Sequence, residues 1–486
     1  MILKSNSLCC LKFTLKRCYI CEIQEEGYEY FTAYSCSYGF ISWGMLAVGF
    51  YGKKYANSFE DYLTAAKQGT FLMVCGSYIG SHIGNGIVVG GAEYGAIYGI
   101  GGIWYGVGSA LGYVLFAFVL SKRLYRSEQL TMSDILNHRY GARITGTIFA
   151  VFNALAAMSI MAGQIIAGKN LFSYFGMNAT LGAAAVCIIV FIYSTMSGQW
   201  GVLMTDMIQV AVIFFCTVIV FGCMLSQGGL GLMREVLPSS FYELIPFEID
   251  TWVMMLFPSM LYGLISSASF QRNMSCKDEK TAFHSAFWGA MILLPYVVLP
   301  VMIGMYGIAL YPDAAPGTIL FHVLIEAFPP LVAALMIAAL MAAVMSTVDS
   351  QLIYVTGSFT NDIYKAYFDK NASEKKLNRI AHAATFLIGI IVLYLALGAK
   401  TIISMLSAAY TFMCAGTLVM FVGGIFWKKA TKAGAIASSI TGMLFVILYK
   451  YCGVQLPVSS IFPILPSLIA YIIVSLMTQP KEAAKR

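Results

Sequence analysis

The sequence predicts an all-α polytopic membrane protein of about thirteen transmembrane helices, with two inverted blocks of five whose first helices are broken. Three observations carry that prediction. Hydrophobic residues make up 59% of the 486 residues and charged residues only 11%, with a mean hydropathy of +0.77. A soluble chain of this length needs far more charge to cover its surface. Apolar windows of about 20 residues, the length that crosses a bilayer core, recur from end to end. Finally, small and polar residues interrupt two of those windows at equivalent places in the two halves of the chain.

The windows fall near 30–52, 70–92, 96–121, 144–168, 178–195, 203–225, 251–270, 286–311, 330–358, 379–398, 402–427, 433–451 and 458–478. No hydrophilic segment is long enough to fold alone, so residues 30–478 form one transmembrane domain. Residues 1–29 read as an N-terminal tail and 479–486 as a C-terminal tail. Within the domain, 70–225 and 251–428 each hold five helices, and 30–52, 433–451 and 458–478 stand outside the two blocks. Five is odd, so the second block enters the membrane from the opposite side. Weakened helices at the start of two inverted blocks point to a binding site near the bilayer midplane.

Orientation follows from the basic residues. With the first helix running outside to inside, 22 of the 30 Lys and Arg residues lie on inward segments. That asymmetry predicts an outside N-terminus and a cytoplasmic C-terminus in the plasma membrane, the inner membrane of a bacterium. The net charge of +7 therefore reports topology; spread over short loops, it forms no nucleic-acid-binding patch. Nothing in the chain asks for an obligatory protein partner. The twelve cysteines scatter, and Cys18-x-x-Cys21 with Cys9 and Cys10 has no second CxxC or nearby histidine to complete a metal site.

The first broken helix spaces Gly76, Gly80 and Gly84 four apart and adds Gly86, Gly90 and Gly91, with His82 and Asn85 between them. One reading is a small-residue stripe for close packing. The other is an unwound stretch whose carbonyls line a site. The seventh helix offers a weaker counterpart in Ser259, Gly263, Ser266, Ser267 and Ser269. The run from Leu331 to Met345 is apolar, yet Ser346, Thr347, Asp349 and Ser350 follow at helical spacing. Inserting an aspartate near a helix centre costs roughly 2.5–3.5 kcal/mol, which a bound cation or a buried polar partner must offset. On a helix the Ala343 carbonyl, the hydroxyls of Ser346 and Thr347, and Ser350 fall on one side, a set of oxygens suited to a hard cation. The alternative is that the hydroxyls bond back to their own helix. For Asp349 the alternative is a helix-terminal cap or an ion pair.

Three further segments stand out: 198–209, with a glycine-marked turn before Thr205, Asp206 and Gln209; 271–279, read as an inner loop after the seventh helix; and 427–435. Written as GxxGVxxTDxxQ, QRxxSxKDE, AAxMSTxDSQL (342–352) and WKKATKAGA, these segments together resemble the sodium/solute symporter family. The resemblance spans about Tyr30 to Tyr471. It implies a leucine-transporter-like fold and uptake of a small organic solute (an amino acid, carboxylate, vitamin or similar) coupled to Na+. No other cofactor is implied.

Carried over residue by residue, the resemblance implies a sodium site on the carbonyls of Gly80, Ile83 and Ala343 and the hydroxyls of Ser346 and Thr347. Asp206, Asp349 and Ser350 correspond to a second sodium site or the ion pathway. For the solute pocket, the residues to examine are His82, Tyr262, Ser266, Ser267 and Tyr410. His82 reads either as a neutral core histidine bonded to a backbone carbonyl or as a solute or proton contact. The chain lacks the Gly-Gln-Pro-His run of proline carriers and the Trp-Cys and Asn-Gln pattern of sugar carriers. An enzyme is disfavoured, because His82, His138, His284, His322 and His382 fall in separate segments. A sensor of the same fold, or a proton-coupled carrier, is the alternative.

Overall fold

The computed structural model describes residues 58–479 apart from 175–177, 246–247, 399–401, 453 and 455–460, together with 44, 47–48 and 50–55. The predicted 1–29 tail, most of the 30–52 helix and residues 480–486 lie outside that description, as do the side chains of Ala343 and Ser346.

Among the described residues the chain is helical throughout its spans. The first, α1 (Phe59–Thr64), lies ahead of α2 (Phe71–His82), which begins at Thr70, whose hydroxyl caps Met73. A π-helical turn at Ile83–Val89 joins α2 to α3 (Gly90–Tyr98). Next come α4 (Trp104–Leu115), prolonged to Tyr125 through a second π turn, the short α5 (Met132–Tyr140) and α6 (Arg143–Tyr174). The following helix, α7 (Ala179–Ser226), is two predicted windows joined at Gly198, where φ is +56°. A side chain there would be strained and would meet Tyr62 at 2.7 Å, so glycine is required on both counts.

The second block opens with α8 (Ile249–Ile265) and α9 (Ser267–Met274), two halves of one span bent by 43°. Then follow α10 (Glu279–Tyr296), α11 (Val298–Leu310), α12 (Ile319–Glu326) and α13 (Pro330–Ser358). After a π-helical segment (Phe359–Phe368), the chain continues through α14 (Glu374–Gly398), α15 (Ile402–Met413), α16 (Val419–Phe426), α17 (Lys432–Tyr451) and α18 (Ile464–Met477).

Two sets of helices pack face to face. One contains α2 to α4 with α8 to α11, and the other contains α6, α7, α13 and α14. The two blocks are neighbours in the first set: α4, in the second span of the first block, crosses α8, in the first span of the second, so closely that a Cβ on Gly263 would lie 2.7 Å from the Gly112 Cα. Backbones that touch this way gain dispersion contacts that lipid cannot supply. The sets meet where α2 lies against α7 and where the Ile83–Val89 turn lies against α13.

The structure changes two sequence expectations. The first broken helix does not unwind; it widens into a π turn, whose looser hydrogen-bond ladder frees carbonyls. It also runs on to Tyr98, so the next span starts at Trp104 rather than near 96.

Candidate functional site

The break between α8 and α9 is made by Ser266, whose extended backbone (ψ 115°) leaves the helix while its hydroxyl accepts from the Ser269 amide at 3.3 Å. Ser266 thus caps the second half-helix at the depth where the first ends. The carbonyl of Ile265 is met by Asn153 Nδ2 at 3.4 Å, as a backbone group freed inside a membrane requires. Tyr78 OH donates to the Ser269 carbonyl at 2.9 Å and ties α2 to the start of α9.

Between these breaks lies a small cavity bordered by His82, Tyr105, Tyr113, Tyr262, Tyr410 and Arg272, with Ser266, Thr347 and Gln351 also on its wall. Its volume of about 20 Å³ leaves room for little more than one water. A solute therefore enters only if the walls part. The rings are held by one another: Tyr262 and Tyr410 lie 4.6 Å apart, and the hydroxyls of Tyr105 and Tyr410 are 3.3 Å apart. His82 Nδ1 is 2.7 Å from Tyr113 OH, so its partner is a side chain and not the expected backbone carbonyl. Four of the five predicted pocket residues come together here. Ser267 does not: its hydroxyl faces Met132 Sδ at 3.5 Å.

Beneath the cavity sits a charged cluster. Arg272, read from the sequence as part of an inner loop, belongs to α9 and is 1% exposed. Its Nε donates to Ser77 Oγ at 2.6 Å, and its Nη2 donates to Ser350 Oγ at 2.7 Å and to Asp206 Oδ2 at 3.4 Å. Ser77 in turn donates to Asp206 Oδ2, leaving Asp206 Oδ1 buried with no hydrogen-bond partner among the described residues. A Cβ on Gly80 would stand 3.5 Å from that of Asp206, which places the carboxylate against α2. Asp349 is fully buried, beside Ser350 Oγ at 3.5 Å, and well inside α13, so the helix-terminal reading does not apply. Thr205 bonds back to the carbonyls of Gly201 and Val202.

Arg272 and Ser77 are functional candidates that the sequence reading missed. The signal for Arg272 was available: an N-capping serine at 266 starts a new half-helix, which carries residue 272 into the bundle. Ser77 and Ser81 repeat at helical spacing between the glycines.

The side of this cluster away from the cavity is closed. Gly69 donates to the Ser275 carbonyl at 2.8 Å and accepts from the Lys277 amide at 3.2 Å, joining the start of α2 to the end of α9. Asn273 exchanges hydrogen bonds with Ser121 at 2.7 and 2.9 Å. Arg126 grips Glu279 with two bonds at 2.7 and 2.9 Å. Away from the spans, Asp134 of α5 and Asp362 share the amide of Asn361 at 2.9 and 3.0 Å. Thr131 and Ser358 also donate to Asp362. Burial, reinforced by the charge of Asp134, pushes the Asp362 carboxyl up to about 7.

The arrangement brings buried oxygens beside a closed polar chamber. The model of the sodium:solute symporter family matches residues 62–442. The sodium/proline symporter of Escherichia coli K12 is 27% identical over 444 residues, covering 84% of this chain and 86% of that protein. The sodium/pantothenate symporter of Haemophilus influenzae is 28% identical over 376 residues, 74% of this chain and 76% of that protein. A solved Na+-coupled sialic acid symporter superposes with a TM-score of 0.82 at 16% identity, over 92% of this chain and 98% of that one. A structure of MhsT in complex with L-phenylalanine gives 0.55, with 83% and 98% covered at 15% identity.

Proposed function

The chain belongs to the sodium:solute symporter family, multi-pass membrane carriers that couple a small organic solute to sodium, and from that premise we propose which of its groups take the ion. Sodium binds between α2 and α13, on the carbonyls of Gly80, Ile83 and Ala343 and the hydroxyls of Ser346 and Thr347. Asp206 receives the ion on its way inward, with Asp349 and Ser350 beside it. The observation that carries this reading is the Asp206 carboxylate: one oxygen is held by Ser77 and Arg272, and the other is buried with no hydrogen-bond partner among the described residues. Leaving such an atom dry is costly, and a cation offsets the cost. Packing of α13 against the Ile83–Val89 turn supports the upper site, as does Thr347 on the cavity wall.

Coupling follows from geometry and potential. Sodium at the π turn fixes the freed carbonyls and orders the wall shared with the solute chamber. The sealed inner contacts then open and the outer ones close. Each sodium carried inward through 100 mV releases about 2.3 kcal/mol, enough for roughly fiftyfold solute accumulation. The excess of basic residues on one set of loops supports an outside N-terminus, a cytoplasmic C-terminus and residence in the plasma membrane. Counterflow of radiolabelled proline or pantothenate in proteoliposomes, with sodium replaced by potassium, tests the coupling. Uptake of every solute tried at equal rates in the two salts would defeat it.

A further inference from the structure

We infer that the solute carried by this protein bears a carboxylate, received by the Nη1 end of Arg272; this rests on the sodium-symport reading above. A guanidinium has five N–H donors. Ser77, Ser350 and Asp206 occupy Nε and Nη2, and among the described residues Nη1 meets no acceptor. The side chain is 1% exposed, yet it borders the cavity, so what reaches Nη1 arrives through the solute chamber.

The pairing with Asp206 does not satisfy the fork. It uses one carboxylate oxygen at 3.4 Å, longer than the roughly 2.7–2.9 Å of a charge-assisted bond, and that same oxygen accepts from Ser77. Arg272 therefore keeps unspent positive charge on the cavity side. Among the described residues no Asp or Glu borders the chamber, whose other polar groups are neutral hydroxyls, amides and the His82 ring. A carboxylate meets a complementary charge there, whereas an ammonium group meets only neutral hydroxyl and amide oxygens and tyrosine rings, with no carboxylate among the described residues of the wall.

The same geometry links ion to solute. Sodium at Asp206 competes with Arg272 for that carboxylate, and the guanidinium turns its charge toward the chamber. An anionic group on the solute replaces what Asp206 withdraws. Sodium and carboxylate enter together and the buried charges stay balanced.

The test uses the purified full-length protein and matched probes: pantothenate with pantothenol, L-lactate with lactamide, and L-proline with L-prolinamide. Affinities come from thermal shifts in sodium chloride, with choline chloride as control, and the readout is the carboxylate-to-amide affinity ratio. A general loss of folded or transport-competent protein moves both members of a pair together and leaves that ratio alone, whereas loss of the guanidinium acts on the ratio itself. The expected result is sodium-dependent binding of at least one carboxylate, about 10- to 100-fold tighter than its amide, the value of a charge-assisted hydrogen bond. In Arg272→Gln the ratio falls toward one, and Arg272→Lys restores part of it. If Arg272→Gln does not fold, Asp206→Asn/Arg272→Gln, which removes both charges of the buried pair, serves in its place. Sodium-dependent binding with no carboxylate preference, a preference that survives loss of the guanidinium, or binding by none of the carboxylates would each overturn the inference. Indifference to sodium in both binding and uptake would instead sink the symport reading.

Discussion

Arg272 Nη2 stands 3.4 Å from Asp206 Oδ2, and neither side chain has more than 1% of its surface open to solvent. The pair joins a half-helix of one block, α9, to α7 of the other. At that burial, removing one partner leaves an uncompensated charge, at a cost of about 3–5 kcal/mol, whereas neutralising both is far milder. Arg272→Ala is expected to lower the melting temperature sharply, and Asp206→Asn/Arg272→Gln to recover most of the loss. Equal melting of all three proteins would show that the pair contributes nothing.

Tyr113→Phe removes the partner of His82 Nδ1, a contact of 2.7 Å on the chamber wall. One buried hydrogen bond is lost and an imidazole nitrogen is left dry, worth about 1–3 kcal/mol. The expected outcome is a raised KM for the solute with an unchanged sodium dependence. A sodium requirement that rises in step with KM would mean that His82 belongs to the ion site.

The carboxylates outside the spans, Asp134 and Asp362, predict a pH response. Asp362 is raised to about 7 by burial and then by the charge of Asp134, both above the ordinary carboxylate value. Below about 4 the group is protonated in both folded and unfolded chains. Between about 4 and 7 the folded form holds the extra proton, so stability falls as pH rises through that window. Asp362→Asn should flatten the pH dependence of the melting temperature and stabilise the protein at pH 8. A mutant curve parallel to the wild type between pH 5 and 8 would remove Asp362 as the source.

Asn153→Ala takes away the donor to the Ile265 carbonyl at the α8–α9 break. Hydrogen exchange over 265–270 should speed up relative to the rest of α8, at a stability cost of about 1 kcal/mol. Unchanged exchange there would mean that the Ser266 cap alone holds the break.

Much of this architecture was legible in the sequence because bilayer helices are written as long apolar windows, and Lys and Arg mark the segments between them. Gly198 announced its turn, and the polar tail of α13 announced a buried site. Two things were harder to read. The Gly76–Gly91 stretch is compatible with a tight stripe, a loop or a π turn, since glycine permits all three, and only the packing of α13 against Ile83–Val89 selects one. Arg272 sits in the polar run Gln271 to Lys280, which reads as a loop when burial is judged by hydropathy. Its place in the core comes from partners distant in sequence, Ser77, Asp206 and Ser350, each of which makes a buried guanidinium tolerable.

We propose that sodium, the coupling ion, sits between α2 and α13. The direct measurement is the melting temperature of purified wild type and of Ser346→Ala/Thr347→Ala, titrated with sodium, potassium and choline chlorides. The expected result is saturable stabilisation of the wild type by sodium alone, with the midpoint raised roughly tenfold or more in the double variant. Identical responses to the three salts, or an unshifted sodium midpoint in a folded double variant, would contradict it.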